Sequence, residues 1–363
     1  MSNIAKDILL TVDDFQPFAI GTIENQYQGP LHPPVAENRL SVVTYPSRLN
    51  LMAVDPSRIA VACGRIYQAG EICLAVDCPL RVSIRRSDET IIKGTARTGI
   101  VRHVLKIFNA AIRSKADYFI EVEGREIPHL GLGSSSRLSA SIAMALNHLW
   151  GMPLDPWYLV RYLAANHGEE THADSDFLVP VQCIGGGGTA GLVDHPFYVL
   201  SGDATLIGQY PVDKGYRVVL AYPEQDGPRD ATAMMEREAK DLLRFYSIGR
   251  TNGRDIAYRV FHQLLPAAVK GDWRIVGEIL DWYRYDLGSV EACSFSHERF
   301  LDLAGLVRQL RIDGLADLAG PSSVGPACYL LTKQPNECIE VVVAAGFGAV
   351  TFNLIDQNRC IVK

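Results

Sequence analysis

The run Pro128-His129-Leu130-Gly131-Leu132-Gly133-Ser134-Ser135-Ser136 is the segment best suited to chemistry in this 363-residue chain. Glycines let the backbone approach an anion closely, and the N–H groups and dipole of a helix that starts there hold its charge. A plain turn ahead of a core helix is the bland alternative. A second loop of similar make-up, Gly320-Pro321-Ser322-Ser323-Val324-Gly325-Pro326, is either a helix-to-strand turn or a second wall around one polyanionic ligand. Arg48, in Pro46-Ser47-Arg48-Leu49-Asn50-Leu51, and Arg65, after Gly64, suit bidentate contact with phosphate, or else serve as surface or salt-bridged side chains. In Thr171-His172-Ala173-Asp174-Ser175-Asp176 the acids alternate, so on an extended segment they point to one side. They suit Mg²⁺, which takes carboxylates together with substrate phosphates, or one serves as a general base; a solvated or helix-capping turn competes. Four consecutive glycines, Gly185 to Gly188, permit a close backbone approach or an unusual turn.

The elements that must position these residues follow from periodicity. Leu138, Ile142, Leu146 and Leu149 mark one face of a helix that opens at the Gly/Ser loop and stops at Gly151. Strands are expected over Arg39–Tyr45 and Ile72–Ile84, the latter broken at Pro79, with an irregular segment from Asp55 to Gly70. A helix over Gly99–Ser114, a strand over Asp117–Glu123 and a helix over Pro156–Ala165 follow. A boundary near Gly215 precedes a buried strand, Tyr216–Tyr222. Helical patterns then run over Ala231–Phe245, Asp255–Lys270, Trp273–Tyr283 and His297–Leu310. Strand Ala327–Leu331, helix Asn336–Ala345 and strand Ala349–Leu354 close the chain. The expected class is α+β in two domains, residues 1–210 and 211–363.

Composition narrows the function classes. Hydrophobic content of 48% and charged content of 21% are those of a globular protein. A net charge of −6 argues against a nucleic-acid binder that works by neutralising phosphates, but not against a small phosphorylated ligand. No apolar run reaches the length of a membrane span, and Met1–Gln16 shows no signal-peptide pattern. The eight cysteines form no Cys-x-x-Cys pair, so buried thiols and a cytoplasmic location are expected, with neither zinc nor a disulfide framework.

In order along the chain, these segments resemble the GHMP kinase superfamily (galactokinase, homoserine kinase, mevalonate kinase and relatives). Gly131 to Ser136 is similar to its phosphate loop, Pro46 to Leu51 to its N-terminal motif, and His172-Ala173-Asp174 to the His-x-Asp stretch of homoserine kinases. Over roughly residues 40 to 363 the chain more closely resembles a non-kinase branch, the β-ribofuranosylaminobenzene 5′-phosphate synthase family. That family's Ser-Arg-x-His start and following Asp correspond to Ser47-Arg48-Leu49-Asn50 and Asp55. Its Gly-Arg and Gly-Gly-Ile-Gly-Leu-Ala correspond to Gly64-Arg65 and Gly70-Glu71-Ile72-Cys73-Leu74-Ala75. Its His-x-Gly-Leu-Gly-Ser corresponds to His129–Ser134, and its Ser-Ser-Trp-Gly-Pro-x-x-Tyr to Ser322–Tyr329. The chain departs from the pattern at Asn50 (family His), Glu71 (family Gly) and Val324 (family Trp). The family's Arg-Ser-Gly-Ile-Gly is absent, and His172–Phe177 occupies its neighbourhood.

The resemblance implies a GHMP kinase-like fold: an N-terminal α+β domain carrying the Gly/Ser loop, and a ferredoxin-like C-terminal domain with extra helices. It implies an enzyme that joins the ribose 5-phosphate of phosphoribosyl pyrophosphate to an aromatic or heteroaromatic acid, losing pyrophosphate and CO₂, in C-nucleoside biosynthesis. On this reading Arg48, Arg65, Gly131, Gly133, Ser134, Ser135, Ser136, Ser322 and Ser323 face the donor. Asp174 or Asp176, with Asp55 behind them, holds Mg²⁺, and His172 accepts a proton or meets the acceptor carboxylate. A homodimer follows by family analogy. An ATP-dependent small-molecule kinase and a non-catalytic phosphometabolite-binding protein are the competing readings.

Overall fold

The structure is a computed structural model that describes residues 12–27, 29–30, 32–59, 68–124, 130–170, 175–224, 231–356 and 361–362. Arg65, His172 and Asp174 lie outside the described residues.

A long antiparallel pair organises the first half: β2 (Ser41–Ala53) on β3 (Glu71–Ser87). The far edge of β3 is shared. Its C-terminal part pairs with β5 (Asp117–Gly124), on which β4 (Ile91–Lys93) adds in parallel. Its N-terminal part pairs with β8 (Phe197–Ser201), which continues to β9 (Thr205–Tyr210). Pro79 does not break β3. It falls in a register shift between the pairs Tyr45/Leu80 and Ser47/Val76, where its missing N–H costs no ladder bond. A second shift lies between Asn50/Cys73 and Met52/Ile72. Both irregularities turn backbone carbonyls away from the ladder. Cys78 O accepts from Ser47 Oγ at 2.9 Å and from Arg137 Nη1 at 2.6 Å. Leu51 O accepts from Arg284 Nε at 2.8 Å.

One face of this sheet is covered by α1 (Thr98–Ile112) and α2 (Ser134–Leu149), with α3 (Pro156–Ala165) beside them. Val43, Val82 and Ile84 from the sheet meet Val104, Phe108, Ile142 and Leu146 from the helices in one buried cluster. Helix α3 starts where a capping acid and a first-turn proline dictate: Asp155 accepts from Tyr158 N at 2.8 Å and Pro156 follows. A small sheet of β1 (Phe18–Ala19), β7 (Phe177–Pro180) and β6 (Gly168–Glu170) lies in the order β1-β7-β6. The four glycines produce a short helical turn, α4 (Gly186–Thr189), pressed against its surroundings. A Cβ on Gly187 would stand 2.1 Å from Ser136 Oγ, and one on Gly186 would stand 2.4 Å from Glu71 Oε1.

The second half is a β-α-β-β-α-β arrangement. Strands β10 (Arg217–Tyr222), β11 (Leu318–Pro321), β12 (Cys328–Thr332) and β13 (Gly348–Phe352) pair antiparallel in the order β11-β12-β10-β13, which is the ferredoxin-like order. Between β10 and β11 stand α5 (Ala231–Arg259), α6 (Leu265–Lys270), α7 (Trp273–Asp281) and α8 (Phe300–Ile312), and α9 (Pro335–Ala344) joins β12 to β13. The expected division into helices ending at Phe245 and resuming at Asp255 is not found. Helix α5 runs unbroken through Asn252-Gly253 and passes by a π turn, Val260–Leu264, into α6. An interior glycine such as Gly249 or Gly253 costs only about 1 kcal/mol and does not end a helix that is packed elsewhere. Strands β8, β9 and β11 were not anticipated either.

The halves share a core. Leu49, Leu51, Ile72 and Leu74 of the first sheet are buried with Val218, Leu220, Trp273, Leu280 and Tyr329 of the second half. The last described strand, β14 (Ile361–Val362), returns to pair with Val43 and Thr44 of β2. Of the described cysteines, Cys73, Cys78, Cys293, Cys328 and Cys338 are buried free thiols and Cys183 is half-buried. No helix among the described residues is long and apolar enough to cross a membrane.

Candidate active site

Helix α2 begins at Gly133, whose φ of 64° is left-handed and which offers no side-chain cap. The first-turn amides of Ser134, Ser135 and Ser136 therefore have no intrahelical acceptor and stand ready for an external anion. The loop ahead of the helix is pinned from two sides. Arg48 N, on β2, donates to Leu132 O at 3.3 Å, and Ser322 Oγ donates to Gly131 O at 2.6 Å. Gly131 has a φ of 70°, and a Cβ there would lie 2.6 Å from Ser322 Cβ, so only glycine permits this approach. Ser322 also accepts from Asn50 N at 3.2 Å, and Ser323 N donates to Asn50 O at 3.0 Å. The two Gly/Ser loops of the sequence thus meet each other, with β2 between them.

They wall one cavity of about 230 Å³. The loop residues Gly131, Gly133, Ser134, Ser135 and Ser136, together with Arg48 and Ser323, line it as the sequence leads one to expect. Ser322 is fully buried just behind the wall, where its hydroxyl is already committed to the two loops. The structure does not bring Asp55 or Asp176 to this cavity. Asp55 caps the 3₁₀ turn Pro56–Arg58 by accepting from Ser57 N at 3.1 Å and Ser57 Oγ at 2.6 Å. Asp176 is exposed and pairs with Arg102 at 2.7 Å.

Arg48 is held from behind by Glu71. Its Nη2 lies 3.7 Å from Glu71 Oε2, and its Nε is buried without a hydrogen-bond partner among the described residues. Burial works against the charge of Arg48, and Glu71 together with Cys73, Tyr198 and Cys183 outweighs it, so the guanidinium pKa is raised. Glu71 itself is fully buried; it accepts from Gly186 N at 2.7 Å and from Asn50 Nδ2. One carboxylate thereby ties α4, β2 and the cavity's arginine together.

Four side chains that no motif announced also line the cavity: His167, Glu169, Gln182 and Glu238. Glu169, on β6, pairs with Arg97, and His167 Nε2 lies 3.8 Å from its Oε1. Burial works against ionisation of Glu169, but Arg97, His167 and a hydrogen bond with Ser135 outweigh it and hold the carboxyl well below the usual range. Glu238, on α5, meets the opposite fate. Burial is not offset by any cation, Gln182 Nε2 supplies its hydrogen bond, and its pKa is pushed up to about 7. The neighbouring pair Glu169-Glu170 after His167-Gly168 was the only local hint in the sequence. Glu238 sits in a charged, ordinary-looking helix, and only the packing of α5 brings it to the site.

The comparisons with known proteins bear on the fold. The family model for the GHMP kinases N terminal domain matches residues 98–199, the segment that contains α1, the Gly/Ser loop and α2. Among solved structures, a galactokinase from Lactococcus lactis is similar with a TM-score of 0.64 at 13% identity, covering 88% of this chain and 94% of that one. A mevalonate diphosphate decarboxylase from Staphylococcus aureus (TM-score 0.62, 13% identity, 90% and 97% covered) and a homoserine kinase from Cytophaga hutchinsonii (0.58, 14%, 91% and 99%) share the fold. The chain carries a GHMP kinase N-terminal domain and has the fold of the GHMP superfamily. Within it, the chain is similar to the β-ribofuranosylphenol 5′-phosphate synthase of Archaeoglobus fulgidus, 24% identical over 318 residues that make up 80% of this chain and 87% of that protein.

Proposed function

We propose that the protein is a C-ribosyltransferase that joins the ribose 5-phosphate of phosphoribosyl pyrophosphate to an aromatic or heteroaromatic carboxylic acid, releasing pyrophosphate and CO₂, in C-nucleoside biosynthesis. The observation that carries this reading is the meeting of the two Gly/Ser loops through Ser322 Oγ and Gly131 O, which lines one cavity with amides, hydroxyls and Arg48. Similarity to a synthase whose product carries a ribofuranosyl 5′-phosphate supports it.

The amides of Ser134, Ser135 and Ser136 and the guanidinium of Arg48 bind the pyrophosphate and take up the charge that it gains as the C1–O bond breaks. Ser323 orients the donor from the second half. The ring carbon that bears the carboxylate attacks C1; the C–CO₂ pair then returns to the ring as CO₂ leaves. The apolar walls Leu132, Val181 and Val324 keep water from the oxocarbenium-like centre.

Mg²⁺ suits the donor set. No group of three His, Cys, Asp or Glu side chains able to hold a metal occurs among the described residues, but Mg²⁺ is commonly held by one or two carboxylates with substrate phosphates and water. Glu169, ionised and hydrogen-bonded with Ser135 at the mouth of α2, would hold it there beside the phosphates. Bound, the ion would supply charge neutralisation of the leaving pyrophosphate. Asp174 and His172 remain candidates from the sequence, as does Arg65 for the donor.

ATP-dependent phosphoryl transfer competes because the same amides fit a triphosphate. The deciding experiment incubates the protein with Mg²⁺, phosphoribosyl pyrophosphate and a panel of aromatic and heteroaromatic acids, beside an ATP control. Joint release of pyrophosphate and CO₂ is expected. ADP formation on an added alcohol, with neither product from the acids, overturns the reading in favour of a kinase.

A further inference from the structure

The cavity holds two carboxylates in opposite states, and the reaction proposed above uses only one. Glu169 has its cation, whereas Glu238 has Gln182 alone. Gln182 donates its Nε2 to Glu238, and its Oε1 is buried with no hydrogen-bond partner among the described residues. A buried acceptor left unpaired beside a cavity costs free energy unless a ligand donor meets it. The adjoining wall is apolar: Val181 precedes Gln182, and Val324 stands where the resembled family carries Trp, which leaves room for a ring. Apolar lining beside two hydrogen-bond acceptors fits an aromatic ring bearing an N–H or O–H.

We infer that Gln182 and Glu238 form the acceptor-ring subsite, and that Glu238 takes, and later returns, the proton of a ring-conjugated N–H or O–H. The inference rests on the C-ribosyl transfer proposed above and assigns the residues that meet a protic substituent on the acceptor ring. Gln182 Oε1 accepts from, or shares, that substituent. Glu238 in its ionised form removes the proton, and the released pair enters the ring and raises the nucleophilicity of the carbon that bears the carboxylate. That carbon bonds to C1 while the C1–O pair leaves with pyrophosphate. The C–CO₂ bond then breaks, its pair returns to the ring, CO₂ departs and Glu238 gives the proton back to the heteroatom. Atoms and charge balance, since the carboxylate's negative charge ends on pyrophosphate. A carboxyl with a pKa of about 7 is poised for both transfers near neutrality. The titratable groups that face it from the cavity are Arg48 on β2, His167 and Glu169 at β6, and Cys183 beside Gln182. Cys293 is the further described thiol that feels its charge.

The test uses the full-length protein and matched probes: 1H-pyrazole-3-carboxylate against its 1-methyl analogue, and 4-hydroxybenzoate against 4-methoxybenzoate. Binding is measured by calorimetry, and turnover with phosphoribosyl pyrophosphate and Mg²⁺ by pyrophosphate release across pH. The wild type is expected to favour the protic member of a pair by about tenfold or more, and Glu238→Gln to lose that preference. In Glu238→Gln, kcat should fall about 10²- to 10⁴-fold, the usual worth of a general base, and the acidic limb near pH 7 should vanish. Glu238→Asp should regain part of the rate. Turnover by Glu238→Gln within threefold of wild type, with the limb intact, overturns the inference and leaves the transferase reading standing. Protic preference that depends on Glu238 without any pyrophosphate release removes the transferase reading and the proton transfer but keeps the subsite. Equal binding of protic and methylated probes by the wild type removes the subsite.

Discussion

Asn50 Nδ2 donates a hydrogen bond to the buried carboxylate of Glu71, so two positions at which this chain departs from the family pattern it resembles touch each other. A glycine at position 71 would offer no carboxylate, and the amide of Gly186, the guanidinium of Arg48 and the Asn50 side chain would each lose a partner. The two differences are one physical unit placed directly behind the cavity's arginine.

Removing one member of that unit should therefore be costly. Glu71→Ala leaves a buried guanidinium unpaired, and about 3 kcal/mol of stability should be lost in denaturant unfolding. A double-mutant cycle with Asn50→Ala should show a coupling above about 0.5 kcal/mol, the threshold for groups in direct contact. Additive losses would mean that the two side chains act separately.

Gly131 and Gly271 provide a paired test of the loop. Both have left-handed φ, 70° and 71°, but a Cβ at Gly131 meets Ser322 whereas, among the described residues and apart from its own chain neighbours, nothing lies within 4 Å of one at Gly271. Gly271→Ala should cost about 1 kcal/mol of backbone strain. Gly131→Ala should cost more and should weaken pyrophosphate binding measured by calorimetry. Equal costs would show that the close approach to Ser322 has no energetic weight.

Ser322→Ala removes the hydroxyl that joins the loops and leaves Gly131 O and Asn50 N without it. A loss of about 1–3 kcal/mol is expected from the unsatisfied buried groups. Ser323→Ala, at the cavity wall, should leave stability within about 0.5 kcal/mol while changing donor binding. Thermal unfolding and pyrophosphate titration of both variants check the contrast.

Glu238 makes stability depend on pH with a defined sign. Its folded pKa, about 7, lies above its unfolded value of about 4.3, so the folded chain binds the extra proton between them. Its contribution is favourable at the acidic end of that window and is lost as pH rises through 7. Glu238→Gln should raise the melting temperature at pH 8 and leave it nearly unchanged at pH 4.5. Glu169 acts the other way: its folded pKa is depressed, so its stabilisation is present above about pH 4.3 and is lost as the pH falls further.

Local signals were legible in the sequence where local chemistry decides. The expected helix over Pro156–Ala165 is found with those bounds, opened by the Asp155 cap and Pro156, and the Gly/Ser run marked the mouth of α2. Signals failed where partners are distant. Pro79 reads as a break, yet a register shift absorbs it; the helical pattern reads as ending at Phe245, yet α5 continues to Arg259. Glu169 and Glu238 reach the cavity through a three-residue strand and the packing of a long helix, and neither leaves a motif. Asp176, and behind it Asp55, reads as a metal ligand in the sequence, but each is occupied by its own neighbours.

Arg284, from the second half, is 2% exposed and donates to Leu51 O at 2.8 Å, to Ser323 O at 3.3 Å and to Ser289 Oγ at 3.3 Å. Its acceptors stand 233 residues apart from it on β2 and only 39 apart in the later loop. During synthesis the Gly/Ser loop and β2 leave the ribosome long before this clamp or Ser322 exists. A nascent chain therefore cannot assemble the second wall of the cavity until the later segments have folded back.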